Sequence, residues 1–145
     1  MRFLAKIALV AAVLVAIPAV AKAPFGRYVV DAKADTVADT TTKRTWQRTV
    51  DVNMYTLAGA KAYCTGLGLA AGWHLPDVRE LYSLVDQQQK NPAIDPTAFP
   101  NTPVGDYWSA TPLQGAPASA WLVHFSNGAT NYGDGVAKKY ARCVK

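Results

Sequence analysis

TLAGAKAYCTGLGLAAGWHLPDVRELYSLV, residues 56–85, carries two helix signals in succession. In the first, Leu57, Ala60, Cys64 and Leu67 recur at steps of three, four and three, the apolar stripe of an amphipathic helix. Thr56 is placed to cap it, and Gly66 and Gly68 are placed to end it, so Cys64 points inward. The second starts more sharply. Pro76 precedes Asp77, and Glu80 three residues on completes a capping-box pattern, with Val78, Leu81, Leu84 and Val85 as the buried face.

Both flanks of this stretch read as β-structure. Upstream, residues 27–30 form a short β-rich run, and residues 36–48, rich in Thr and holding Val37 and Trp46, predict a strand pair turning near residues 40–43. Downstream, Pro92, Pro96, Pro100 and Pro103 keep residues 87–106 from being a helix or a central strand. A loop of that length in a small domain is functional or pinned by its own side chains, here Ile94 and Phe99. Residues 107–111 predict a strand, residues 112–119 a small-residue loop, and residues 120–125 another strand. Asn127-Gly128 then signals a two-residue hairpin, Gly133-Asp134-Gly135 a further turn, and residues 139–144 the closing strand. A two-residue turn sets Phe125 opposite Thr130 and Val123 opposite Tyr132. Trp121, Val123 and Phe125 are then expected inside, with His124 more exposed than its neighbours. The order β–α–α–β predicts one α+β domain, two helices against antiparallel strands, without internal repeats.

The amino terminus has a different character. Arg2 and Lys6 precede an apolar run over residues 7–17 that Pro18 stops, and small residues follow at Ala19, Ala21 and Ala23. This is the order of a secretory signal, shorter than the ~20 residues a spanning helix needs; an uncleaved anchor is the alternative. Cleavage is expected after Ala21. A cut after Ala23 would leave the rigid Pro24 next to the scissile bond. Residues 1–21 are therefore assigned to the signal and 22–145 to the domain, which is exported to the periplasm or the exterior and has no membrane span once processed. Arg2 and Lys6 leave with the signal, so the formal charge falls from +5 to +3, with 13 basic against 10 acidic residues. That mild surplus permits attraction to anionic polymers without calling for nucleic acid. Cys64 and Cys143 are the two cysteines, the number that makes one bridge in an oxidising compartment; two buried thiols are the alternative.

Few residues suggest chemistry. His74 and His124 are the two histidines, with no Cys-x-x-Cys or His-x-x-x-His, so neither a metal nor a cofactor is expected. No serine sits in a Gly-x-Ser-x-Gly elbow, and no catalytic residue is assigned. Asp77 and Glu80 are explained as helix caps, Asp95 as a turn former. Trp46, Trp73, Trp108 and Trp121 could stack on sugars but sit beside aliphatic residues, where core packing is the simpler role. Lys138, Lys139 and Arg142 follow the turn that holds Asp134, and together these four are the candidate ligand-binding residues. A Lys-protected edge strand is the plainer reading of the same charges.

Several segments taken together carry a family resemblance: Thr45-Trp46-Gln47-Arg48, Ala62-Tyr63-Cys64, Gly72-Trp73-His74-Leu75-Pro76, Glu80-Leu81-Tyr82-Ser83-Leu84, Pro92-Ala93-Ile94-Asp95, Tyr107-Trp108-Ser109-Ala110-Thr111, Trp121 through Gly128, and Arg142-Cys143-Val144. In this order, across residues 27–145, they resemble the Lcl C-terminal domain family, itself similar to C-type-lectin-like and formylglycine-generating-enzyme folds. The resemblance implies that the first and last strands pair and that a disulfide joins the first helix to the final strand, which falls on Cys64 and Cys143. Departures also count. The family's Trp-Arg-Leu-Pro is Trp73-His74-Leu75-Pro76 here, losing a guanidinium that would pair with a carboxylate. The Glu-Pro-Asn and Trp-Asn-Asp elements of calcium lectins are missing, as is the active cysteine pair of the formylglycine enzyme.

Adhesin-type members of that family imply a non-enzymatic binding module for a glycan or other polyanion, without calcium. A structural component of a surface complex with protein partners is the alternative, and an enzyme is less favoured. The ligand surface is expected on loops 87–106, 112–119 and 133–135.

Overall fold

The computed structural model describes residues 24–68 and 72–145. The expected signal segment, residues 1–21, lies outside the described residues. The chain forms β1 (Tyr28–Asp31), β2 (Thr36–Asp39), β3 (Arg44–Gln47), α1 (Leu57–Thr65), α2 (Val78–Tyr82), β4 (Asp106–Leu113), β5 (Ala116–His124) and β6 (Ala129–Asp134). These make a small α+β domain of two antiparallel three-stranded sheets, ordered β1-β2-β3 and β4-β5-β6, with two helices.

Both helices begin where the sequence places them. Thr56 Oγ1 accepts from Gly59 N at 3.2 Å, starting α1. The capping box of α2 is complete: Asp77 Oδ1 accepts from Glu80 N at 2.7 Å and Glu80 Oε2 accepts from Asp77 N at 2.9 Å. Ile94 and Phe99 are fully buried and do pin the long loop. Asp95 Oδ1 turns that loop by accepting from Thr97 N and Ala98 N.

The second sheet has two buried faces. Tyr107 and Val123 face a core shared with Val37, Trp46, Leu81, Leu84 and Phe99. Trp108, Ala120 and Leu122 face another, built on Ala60, Cys64, Trp73, Leu75 and Cys143. Strands buried on both sides lose the apolar-polar alternation. This is why Trp121-Leu122-Val123-His124 misleads: Leu122 and Val123 are both inside, and Trp121, expected in the core, is only half-buried.

Other expectations are also corrected. The loop foreseen at residues 112–119 is paired strand. Pro112 is tolerated on the edge strand β4 at a register irregularity, and the turn shrinks to Gln114-Gly115, with Gly115 at φ +80. The Asn127-Gly128 turn is longer than two residues. His124 pairs with Ala129 and Val123 with Thr130, so Phe125 to Gly128 all lie in the loop. Phe125 leaves the ladder because its N–H donates to Gly105 O, its carbonyl accepts from Ala93 N, and its ring packs edge-on against Tyr107 at 5.0 Å. A slip of two keeps each side chain on its own face, so Val123 and Phe125 are still buried and His124 is more exposed than either. Gly133 belongs to β6 rather than to a turn; a Cβ there would lie 3.1 Å from Leu122 Cδ1.

The closing segment is not one strand. It bridges Tyr55 through Lys139, Tyr107 through Tyr140, and both Trp46 and His74 through Val144. Its sheet partner is therefore β3 and not the first strand: β1 and β3 are the two edges of their sheet, and Val144 takes the β3 edge at Trp46. Cys143 in this segment bonds Cys64 of α1, with S–S 2.04 Å, the pairing that the count of cysteines allows and the resemblance implies.

Candidate functional site

The four expected ligand residues do not form one patch. Arg142 is fully buried. Its Nη1 donates to the carbonyls of Gln47 and Arg48 at 2.7 and 2.9 Å, Nη2 donates to Thr102 Oγ1 at 2.8 Å, and the guanidinium lies 4.7 Å over the Phe99 ring. It cannot present its charge to a polymer. Lys139 Nζ donates to Asp106 Oδ2 at 2.6 Å, and His124 Nδ1 lies 2.8 Å from Asp106 Oδ1. Burial alone would raise the Asp106 pKa, but the bonds from Lys139 and His124 outweigh it and hold the carboxyl below its ordinary range. His124 is thus a half-buried partner of Asp106 rather than a freely solvated side chain. Lys138 and Asp134 are exposed, and Asp134 Oδ1 accepts from Val136 N within its own turn. Of the basic cluster, Lys138 alone keeps an exposed charge without an ion-pair partner among the described residues.

Glu80 is held from β3: its Oε1 accepts from Arg44 Nε at 2.8 Å, while His74 Nε2 lies 3.7 Å from its Oε2.

A more open feature lies between α2 and the β5–β6 hairpin. Val78, Arg79, Tyr82 and Ser83 form one wall, and Gly128, Ala129 and Thr130 the other, around a groove of about 680 Å³. Its walls are fixed. Val78 N donates to Thr111 Oγ1 at 3.0 Å, tying α2 to β4. Gly128 sits so close to the turn after α2 that a Cβ would meet Val85 Cγ1. Tyr82 is 40% exposed, and Arg79 is exposed with no ion-pair partner among the described residues. Thr130 pairs with Val123 and Tyr132 with Trp121, so the same sheet face runs on from the groove to a Trp121–Tyr132 edge-on pair with centroids 6.4 Å apart. An indole and phenol face beside a guanidinium and a hydroxyl can stack on a sugar ring and bond its substituents.

Arg79, Tyr82 and Thr130 escape a linear reading, because the two walls come from segments about fifty residues apart. The one local signal is the spacing of Arg79 and Tyr82, three apart on one helix face. A second cleft, of about 450 Å³, borders the outer strand β1 and is lined by Pro24, Phe25, Tyr28, Val30, Asp95 and Ala98 among others.

Compared with known proteins, residues 35–145 match the sequence model described as the Lcl C-terminal domain. No curated protein matches the chain.

Proposed function

The chain belongs to the Lcl C-terminal domain family, and from that premise we propose that it is a non-enzymatic, exported binding module that recognises a glycan without calcium. The observation that carries this reading is the fixed groove between α2 and the β5–β6 hairpin, where the exposed Tyr82 face meets the uncompensated charge of Arg79. One exposed aromatic ring beside a guanidinium and hydroxyls suits a sugar, because the ring can stack on its C–H face while the polar groups bond its substituents. Support for a C-type-lectin-like fold comes from the disulfide between the first helix and the closing segment. Export is favoured by the amino-terminal pattern and by that same bridge.

Of the two ligand classes expected, glycan and polyanion, the placement of the basic residues favours the first. Arg142 is enclosed and Lys139 neutralised, so an extended polyanion would find little more than Lys138 there. A glycan-array screen of the mature domain, followed by titration of the hits, tests the reading. Arg79→Ala with Tyr82→Ala should weaken binding at least tenfold while leaving the fold intact. An array without hits overturns the glycan class, and hits bound equally by the double variant overturn the groove.

A second reading, assembly into a surface complex with protein partners, is favoured by one separate observation. Val29 and Val30 on the outer strand β1, and Phe25 just before it, expose apolar side chains beside the second cleft. Concentration-dependent association lost on Val29→Lys would support it, and a monomer at all concentrations with no partner recovered would remove it.

A further inference from the structure

The two sheets have four edges between them, and the chain covers or blunts three. On β3, Thr45 and Lys145 exchange both backbone bonds and Gln47 N donates to Cys143 O. On β4, Trp108 N donates to Tyr140 O, Ala110 N donates to Pro76 O, and Asp106 O accepts from Tyr140 N. On β6, the Tyr132 N–H is taken by Asn131 Oδ1 and the Asp134 carbonyl by Ala137 N.

The fourth edge, β1, has no such cover. Thr40 N donates to Arg27 O at 2.8 Å, and the β1–β2 register runs on from that pair. Bonded and non-bonded pairs alternate in an antiparallel ladder, so Val29 and Asp31 turn their backbone groups to β2. Tyr28 and Val30 turn theirs outward, where no loop or side chain among the described residues bonds them. No lysine, proline or bulge interrupts β1, the usual devices that keep an open edge from pairing. Beside it runs the cleft lined by Tyr28, Val30, Thr97 and Ala98, which leaves room for side chains of an added strand.

The strand that fits is set by β1 itself. An antiparallel partner bonds opposite Tyr28 and Val30, lays an apolar residue on the exposed Val29 and sets a basic one against the exposed Asp31. Along its own direction that partner reads basic and then three residues with large apolar bodies. Arg27-Tyr28-Val29-Val30 has this order. A two-fold axis at Val29 brings Tyr28 opposite Val30 of the second copy and Arg27, which also bonds Asp39, opposite Asp31 of the second copy. All the outward groups of both strands are then used, in four hydrogen bonds. An axis at Val30 would use half of them and set Arg27 against Lys33 of the second copy. An axis at Tyr28 would also use half and set Asp31 against Phe25 of the second copy.

We propose, on the assembly reading above, that the partner is a second copy of this chain, paired β1 to β1 about an axis at Val29 into one six-stranded sheet. A four-residue edge is small beside a standard interface, so the dimer is reversible.

The test uses the disulfide-bonded mature protein in sedimentation equilibrium. Val30→Pro removes an outward N–H and spares the β1–β2 bonds, so it should weaken dimerisation about tenfold or more while the monomer stays folded. Val29→Cys should form a covalent dimer on mild oxidation, because facing Cα atoms in a non-hydrogen-bonded pair lie about 4.5 Å apart. Lys33→Cys, equally exposed, should not, and neither new thiol has a free cysteine to meet within the described residues. Dimerisation unaltered by Val30→Pro, or equal cross-linking of the two cysteine variants, overturns the β1 pairing and leaves assembly through another surface. A monomer up to about 1 mM overturns the pairing as well, and removes the assembly reading too if no other protein binds.

Discussion

Replacing Cys64 and Cys143 together by Ala removes a cross-link whose contribution can be worked from the chain. The two cysteines are 79 apart in sequence, so the bridge closes a loop of 80 residues counting both ends. Chain-entropy reasoning gives roughly 15 cal/mol/K for a loop of that size, or about 4.5 kcal/mol at 25 °C. The native side changes less. The closing segment is also held by the Thr45–Lys145 pair, by Gln47 N to Cys143 O, and by the reciprocal His74–Val144 bonds. These contacts survive the substitution, so the cut falls mainly on the unfolded state. Urea unfolding should show a loss of about 4 kcal/mol together with a larger m-value, because the open unfolded chain exposes more surface. Against a typical stability of about 5–15 kcal/mol, that is enough to leave the double variant marginal. A loss under about 1.5 kcal/mol with an unchanged m would refute the reasoning and place the stability in the backbone ties alone.

The remaining predictions are narrower. Gly128→Ala combines a backbone at φ +77 with a Cβ that would meet Val85 Cγ1, and should cost about 2–4 kcal/mol by thermal or urea unfolding. Trp108→Ala should cost about 3–5 kcal/mol, and Trp121→Ala distinctly less, since Trp108 is fully buried and Trp121 is not; equal losses would contradict the two-faced sheet. Asp39 and Asp106 both titrate below the ordinary value of 3.8: burial would raise each, but bonds from Arg27 and from Lys139 respectively prevail. Their contribution is therefore present above about pH 4 and is lost as pH falls through the lowered values. Asp106→Asn should remove part of this acid limb and cost about 1–2 kcal/mol at pH 7. An acid limb identical to wild type would show that the Lys139–Asp106–His124 cluster contributes nothing.

Much of the scaffold was legible because its signals are local. Thr56, Asp77 and Glu80 cap helices through bonds that reach three residues along the chain, so their pattern is enough to place both helix starts. The proline run between α2 and β4 forbids regular structure wherever it is put, and Ile94 and Phe99 are its large apolar side chains. The count of cysteines left a single possible bridge, and the structure forms it. The candidate site was far less legible. Lys138, Lys139 and Arg142 look alike in a sequence, yet one is exposed, one is paired with Asp106, and one is enclosed, because the closing segment changes partners at nearly every residue.

The sequence by itself determined the two helix starts, the one pairing open to two cysteines and the family, since each depends on residue type, short-range spacing or ordered motifs. Tertiary structure alone decided the hairpin register, the partner of the closing segment and the groove. The Asn127-Gly128 preference is a local one, and it yields where Phe125 gains two backbone bonds and a buried ring by leaving the ladder. Pairing with β3 instead of β1, and the meeting of Arg79 with Thr130, depend on which surfaces the two sheets bury against each other. That is a sum over contacts distant in sequence, and no short stretch of the chain encodes it.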